Sequence, residues 1–177
     1  MTTTIAELNV AERAGFVTAL GHLFEHSPWV VEETWERRPF RDAAQLHSAL
    51  CATLRAASQD RKLALIRAHP DLAGRLAQQN KLTAASTSEQ AIAGLNKLEP
   101  AELSRFQKLN YEYRARFGFP FIICARLNDR PAILAAMQLR MTNTPAIEVA
   151  SALAEIEKIA QLRLDDVLKA PDPTPQV

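Results

Sequence analysis

Glycine is scarce in this chain. Only five of 177 residues are Gly, about 3% against an average near 7%, which disfavours a turn-rich β-sandwich or a nucleotide fold built on glycine loops. Cysteine is scarcer. Cys51 and Cys124 make neither a disulfide framework nor four closely spaced zinc ligands, and read as free thiols of a reducing compartment. Long apolar runs are missing too, and the longest fall far short of the ~20 residues that span a bilayer. No charge dominates, since 21 basic and 20 acidic residues leave a net charge of +1. No global field then favours nucleic acid or an anionic membrane. The N-terminal stretch has no basic region followed by an apolar one, and Ser-Lys-Leu is absent from the end, so a cytoplasmic protein is expected.

What is present is helical punctuation. Hydrophobic residues make up 47% and charged residues 23%, the mixture of an ordinary globular chain of one domain. Apolar spacing predicts a helix over Val10 to Phe24, a second opened by Ser27-Pro28 and ended before Pro39, and a third capped by Asp42. A fourth covers Gln59 to Ala68. His69-Pro70 interrupts it, because a residue before proline avoids the α region, and Pro70 is placed to start the next helix. Ala101 to Arg116 carries a stripe of Leu103, Phe106, Asn110, Tyr113 and Phe117, with Gly118 as the residue that ends it. The longest helix runs from Pro145 to Leu168. Phe121 to Ala125 alone has strand character, and one extended segment makes no sheet. The expectation is an all-α, single-domain bundle of about eight to nine helices over residues 1–170, with a disordered Pro-rich tail at 171–177.

Three polar residues stand out. Arg163 follows Ile159 and Ala160 and precedes Val167 on an apolar stripe. It either snorkels or pairs with an internal carboxylate, or clamps an anion with its planar fork. Glu89 closes a Ser86-x-x-Glu89 capping box, whose helix start also offers amides to an anionic ligand. His69 sits between a helix end and a proline, where an imidazole is aimed in one direction. It suits either a bond to a nearby carbonyl or proton transfer near neutral pH. His22 and His26 have metal-pair spacing without a third ligand, His47 has no chemical context, and Cys124 lacks a feature that would lower its pKa. Arg114 and Arg116 are explained by the dipole at the end of their helix.

These segments together resemble the OHCU decarboxylase family, whose substrate is 2-oxo-4-hydroxy-4-carboxy-5-ureidoimidazoline. The likeness runs through His69-Pro70-Asp71-Leu72-Ala73-Gly74, then Ser86 to Gln90 with Ala93-Gly94-Leu95. It continues through Arg116 to Arg126, and ends with Glu155-Ile156, Ile159-Ala160 and Leu162-Arg163-Leu164. Leu20-Gly21, Phe24-Glu25 and Ser27-Pro28-Trp29-Val30 also fit, so the resemblance covers about Leu8 to Leu168. It implies a helical, cofactor-free and metal-free homodimer that forms (S)-allantoin in urate breakdown. His69 would be the catalytic acid/base. Pro70, Ser86, Thr87, Ser88, Glu89, Gln90, Phe121, Ile122, Ile123, Cys124, Ala125 and Arg163 would contact substrate. Two other readings remain open: a non-catalytic helical interaction module, and a ureide hydrolase using the same pocket. With no anion bound, Arg163→Met is expected to leave the fold no less stable, because an unmatched guanidinium is a burden there.

Overall fold

The computed structural model describes residues 3–74, 79 and 82–168. Among these there are nine α-helices and no strand. The chain forms two compact units: one takes the chain up to Ala57 together with the part from Ile159 onward, the other Ser58–Lys158. The tail expected from residue 171 lies outside the described residues.

The first unit starts with α1 (Ile5–Val10), α2 (Arg13–Leu20), α3 (Trp29–Thr34) and α4 (Ala43–Ala56). The single helix expected over Val10 to Phe24 is therefore two helices and a 3₁₀ turn at Gly21–Leu23. Its reason is local and tertiary at once. Thr4 and Glu7 form a capping box that starts α1 early, and Ala11 is extended at its end. The Ala11 carbonyl is taken by Arg38 Nη1 at 2.7 Å and Trp35 Nε1 at 3.2 Å, so it has no need of a helical partner. Asp42 caps α4 as expected, its carboxylate accepting from the Gln45 amide. Phe16, Leu20, Val30, Val31, Leu46, Leu50 and Leu54 fill this core.

The second unit holds α5 (Gln59–Ala68), α6 (Ala84–Ile92), α7 (Pro100–Phe117) and α8 (Arg130–Arg140). The last helix, α9 (Pro145–Leu168), has the expected bounds and gives its first 14 residues, to Lys158, to this unit. Gly118 ends α7 at φ 76° with its N–H on the Arg114 carbonyl, a left-handed position that glycine takes without Cβ strain. The aromatic cluster of Tyr113, Phe117, Phe119 and Phe121 then turns the chain, with ring centroids 4.6 to 6.1 Å apart. Phe121 to Cys124 is neither helix nor strand, and Ala125 opens a 3₁₀ turn to Leu127. All five residues are buried.

Candidate active site

His69 ends α5. The following proline holds it extended, at φ −73° and ψ 142°. Its imidazole is 6% exposed, and Nδ1 lies 2.9 Å from the Leu65 carbonyl. A carbonyl only accepts, so Nδ1 carries the proton, and a neutral ring keeps Nε2 as its basic atom. The bond to a nearby carbonyl expected of a lone histidine is present, and it fixes the orientation of the ring.

The loop after His69 is set residue by residue. Pro70 does not start a helix as expected, because Leu72 and Ala73 form a turn. Arg114 Nε reaches both Asp71 carboxylate oxygens at 2.8 and 3.0 Å. The Leu72 carbonyl accepts from Asn110 Nδ2 at 2.8 Å, and the Ala73 amide donates to Gln90 Oε1 at 2.9 Å. Ala73 has φ 50°, a strained value for a residue with a Cβ, and one that persists only where neighbours over-determine it. A Cβ on Gly74 would stand 2.7 Å from Asp71 Cβ. The sequence His-Pro-Asp-Leu-Ala-Gly is thus a clamped turn. Arg114 serves it directly, a specific role beyond the helix dipole.

Helix α6 carries the second group. It is capped by Thr83, whose hydroxyl accepts from the Ser86 amide at 3.2 Å. The expected box from Ser86 to Glu89 is therefore displaced by three residues, and Ser86 to Gln90 lies within the helix, not at its start. Ser86 and Gln90 are buried, Glu89 is half-buried, and Thr87 and Ser88 are exposed. The Thr87 hydroxyl donates to the Thr83 carbonyl at 2.9 Å. Gln90 holds the turn after Pro70, and α6 also packs on the 3₁₀ turn that begins at Ala125. The His69 loop, α6 and the Phe121–Ala125 segment are thereby brought together in one unit.

The Cys124 thiol is pushed up by burial first, then by the charges of Glu155 and Glu89, which fits a buried, unreactive thiol and places Glu89 within electrostatic reach of the segment. The backbone there is anchored: Cys124 N–H donates to Glu155 Oε2 at 2.8 Å, and the Ile122 carbonyl accepts from Arg140 Nη1 at 2.7 Å. Neither Glu155 nor Arg140 stood out in the sequence as a partner of this backbone. Nor did Asn110, Asp71 or Arg114 as loop clamps. Their partners are 18 to 43 residues distant where the segment or loop is concerned, beyond the reach of helical periodicity.

Arg163 belongs to the first unit and is 4% exposed. It does not snorkel. Nη1 and Nη2 each stand 3.3 Å from Glu25 Oε2, and Nη1 also donates to the His22 carbonyl at 3.1 Å. Removing the arginine would take the guanidinium away from a carboxylate that is 2% exposed. The expectation that Arg163→Met leaves the ligand-free fold no less stable is therefore reversed. His22 is held below its ordinary pKa by burial and then by Arg163. Among the described residues no group of three His, Cys, Asp or Glu side chains could hold a metal ion. None of the helices there is long and apolar enough to cross a membrane.

Residues 9–165 match the family model described as OHCU decarboxylase. The chain is 40% identical over 171 residues to 2-oxo-4-hydroxy-4-carboxy-5-ureidoimidazoline decarboxylase of Halalkalicoccus jeotgali, covering 97% of this chain and 95% of that one. To the mouse protein of the same name it is 39% identical, over 94% of this chain and 93% of the relative. The crystal structure of an (S)-allantoin synthase superposes with a TM-score of 0.74 at 32% identity, over 94% of this chain and 54% of that one. The chain belongs to the OHCU decarboxylase family.

Proposed function

We propose that this protein decarboxylates 2-oxo-4-hydroxy-4-carboxy-5-ureidoimidazoline to (S)-allantoin, as a cofactor-independent cytoplasmic homodimer. Within the family context, the observation that carries this reading is His69: a buried imidazole with Nδ1 tied to a carbonyl and the turn beyond it clamped by Gln90, Asn110 and Arg114. The reaction needs no electron sink beyond the substrate. The bond to the carboxylate breaks, its electron pair forms a double bond to the ureido-bearing carbon, and the C=N pair passes to the ring nitrogen, which takes a proton. The hydroxyl-bearing carbon then becomes a carbonyl as its O–H gives up a proton, and the ureido-bearing carbon takes up one proton. The protein's work is to orient the ring and deliver that proton to one face.

In this scheme His69 reacts as the imidazolium: its Nε2–H orients the leaving carboxylate and gives the proton, and Glu89 holds the hydroxyl. Pro70, Ser86 and Gln90 shape the wall beside them, and Thr87 and Ser88 stand with Ser86 to Gln90 on the strength of the resemblance. Backbone of Phe121 to Ala125 reads the ureido arm. Arg163 binds an anionic or imide edge of the substrate. Its buried guanidinium and the resemblance are its support.

The test is His69→Ala. A decarboxylation rate lower by about 10²–10⁴-fold, the usual worth of a general acid, is expected with the melting temperature unchanged. A rate that survives the exchange, or helicity that collapses with it, would remove His69 from the chemistry. For Arg163, saturating allantoin is expected to raise the melting temperature of the wild type and not that of Arg163→Met. Equal shifts would make it a structural arginine.

A further inference from the structure

One buried cluster has no part in the scheme above. Glu148, on α9, is 0% exposed. It accepts from Arg140 Nε at 3.1 Å to each oxygen, from Arg140 Nη2 at 2.9 Å and from Asn143 Nδ2 at 2.7 Å. The Tyr113 hydroxyl donates to it as well. Burial alone would push this carboxyl up, but the hydrogen bonds from Arg140, Tyr113 and Asn143 outweigh that and hold it below its ordinary value.

A buried ion pair is a weak source of stability, because apolar side chains of similar volume often do as well. What an ion pair adds is position. Arg140 has its Nε and Nη2 edge locked on Glu148, and so presents Nη1 in a fixed direction, where it donates to the Ile122 carbonyl at 2.7 Å. The same guanidinium lies 4.3 Å from the centroid of the Phe121 ring, in cation–π range. Glu155 holds the next stretch through the Cys124 amide at 2.8 Å. Two side chains from two helices thus pin the peptide groups on either side of Ile123.

We propose that Arg140, seated on Glu148, is a positioning residue for the substrate's ureido arm: it fixes the Phe121–Ile122 backbone that reads this group, with Glu155 as the second anchor at Cys124. This rests on the proposed reading of that segment as the ureido contact. The cluster is electrically closed, since Arg140 and Glu148 cancel. Its effect on the reaction is therefore one of geometry and not of field, and it acts on how substrate is held more than on the proton step at His69.

Arg140→Lys tests this in the full-length protein. Lysine keeps the charge but has one nitrogen, which cannot serve Glu148 and Ile122 in the same geometry. With the decarboxylase substrate, KM is expected to rise about tenfold while kcat stays within about twofold, the size of change that loss of one well-placed hydrogen bond gives. The inhibition constant of allantoin should rise by the same factor. That of hydantoin, which has the ring without the ureido arm, should not change. Ile133→Val trims a buried side chain on the same helix α8 that supplies neither of the two hydrogen bonds anchoring the segment, and should leave KM unchanged. If Arg140→Lys does not fold, Glu155→Ala is expected to give the same split between KM and kcat. An unchanged KM in a folded Arg140→Lys, a KM rise shared by Ile133→Val, or a loss confined to kcat would overturn the proposal. An active wild type with unchanged KM in the variant would remove this inference alone, whereas a wild type without decarboxylation would remove the proposed function and this with it.

Discussion

Each unit of the molecule buries an arginine–glutamate pair, and the two are built differently. In the second unit Arg140 meets Glu148 edge-on, with both carboxylate oxygens accepting and Tyr113 and Asn143 completing the shell. In the first, Arg163 meets one oxygen of Glu25 at 3.3 Å from both terminal nitrogens, and shares Nη1 with backbone carbonyls. The first arrangement is short and bidentate, the strong form of a charged hydrogen bond. The second is longer, and its guanidinium is divided between the carboxylate and backbone carbonyls. The contrast separates an arginine whose edge is taken by one carboxylate from one shared among several acceptors.

The largest effect should come from breaking the tight pair. Arg140→Met leaves Glu148 buried without its main partner, and a loss of about 3–5 kcal/mol is expected by chemical denaturation. Arg163→Met should cost less, toward about 3 kcal/mol, because the contact it removes is longer. Equal losses would erase the distinction between the two pairs. Arg163→Lys sharpens it from the side of function: kcat/KM should fall about 10- to 100-fold, the worth of a charged hydrogen bond, with the melting temperature little changed.

A smaller effect is a matter of pH. Since the Glu148 carboxyl is held below its ordinary value of 4.5, the unfolded chain binds more protons than the folded one just below that pH. Its contribution to stability is therefore fully present above about pH 4.5 and lost as the pH falls through the lower folded value. Denaturation curves at successive pH values should show a shallower acid loss in Glu148→Gln than in the wild type. An identical slope would mean that other carboxylates dominate acid unfolding.

The sequence was most legible where structure is local. Asp42 as a cap, Gly118 as a left-handed terminator, and the bounds of the helices at Gln59–Ala68 and Pro145–Leu168 all follow from short-range rules. Thr83, Ser86, Thr87 and Ser88 are each able to cap a helix, and the true cap, Thr83, lies one residue outside the helix that the Ser86 box would have shortened. The break after Val10 depends on Trp35 and Arg38 reaching the Ala11 carbonyl, which no pattern within residues 10–24 contains. Pro70 has the right φ for a helix start, but Gln90 and Asn110 hold a turn there instead. His69 and Arg163 could be singled out because each breaks a local pattern. Glu25, Arg140, Glu148 and Glu155 could not be assigned partners, because their roles exist only between elements.

The most direct test is to add the purified protein to freshly generated product of urate oxidation and follow optical activity. Faster formation of (S)-allantoin than in the spontaneous reaction is expected, with the signal of one enantiomer. Decay at the spontaneous rate to racemic allantoin would contradict the assignment of this chain as a decarboxylase.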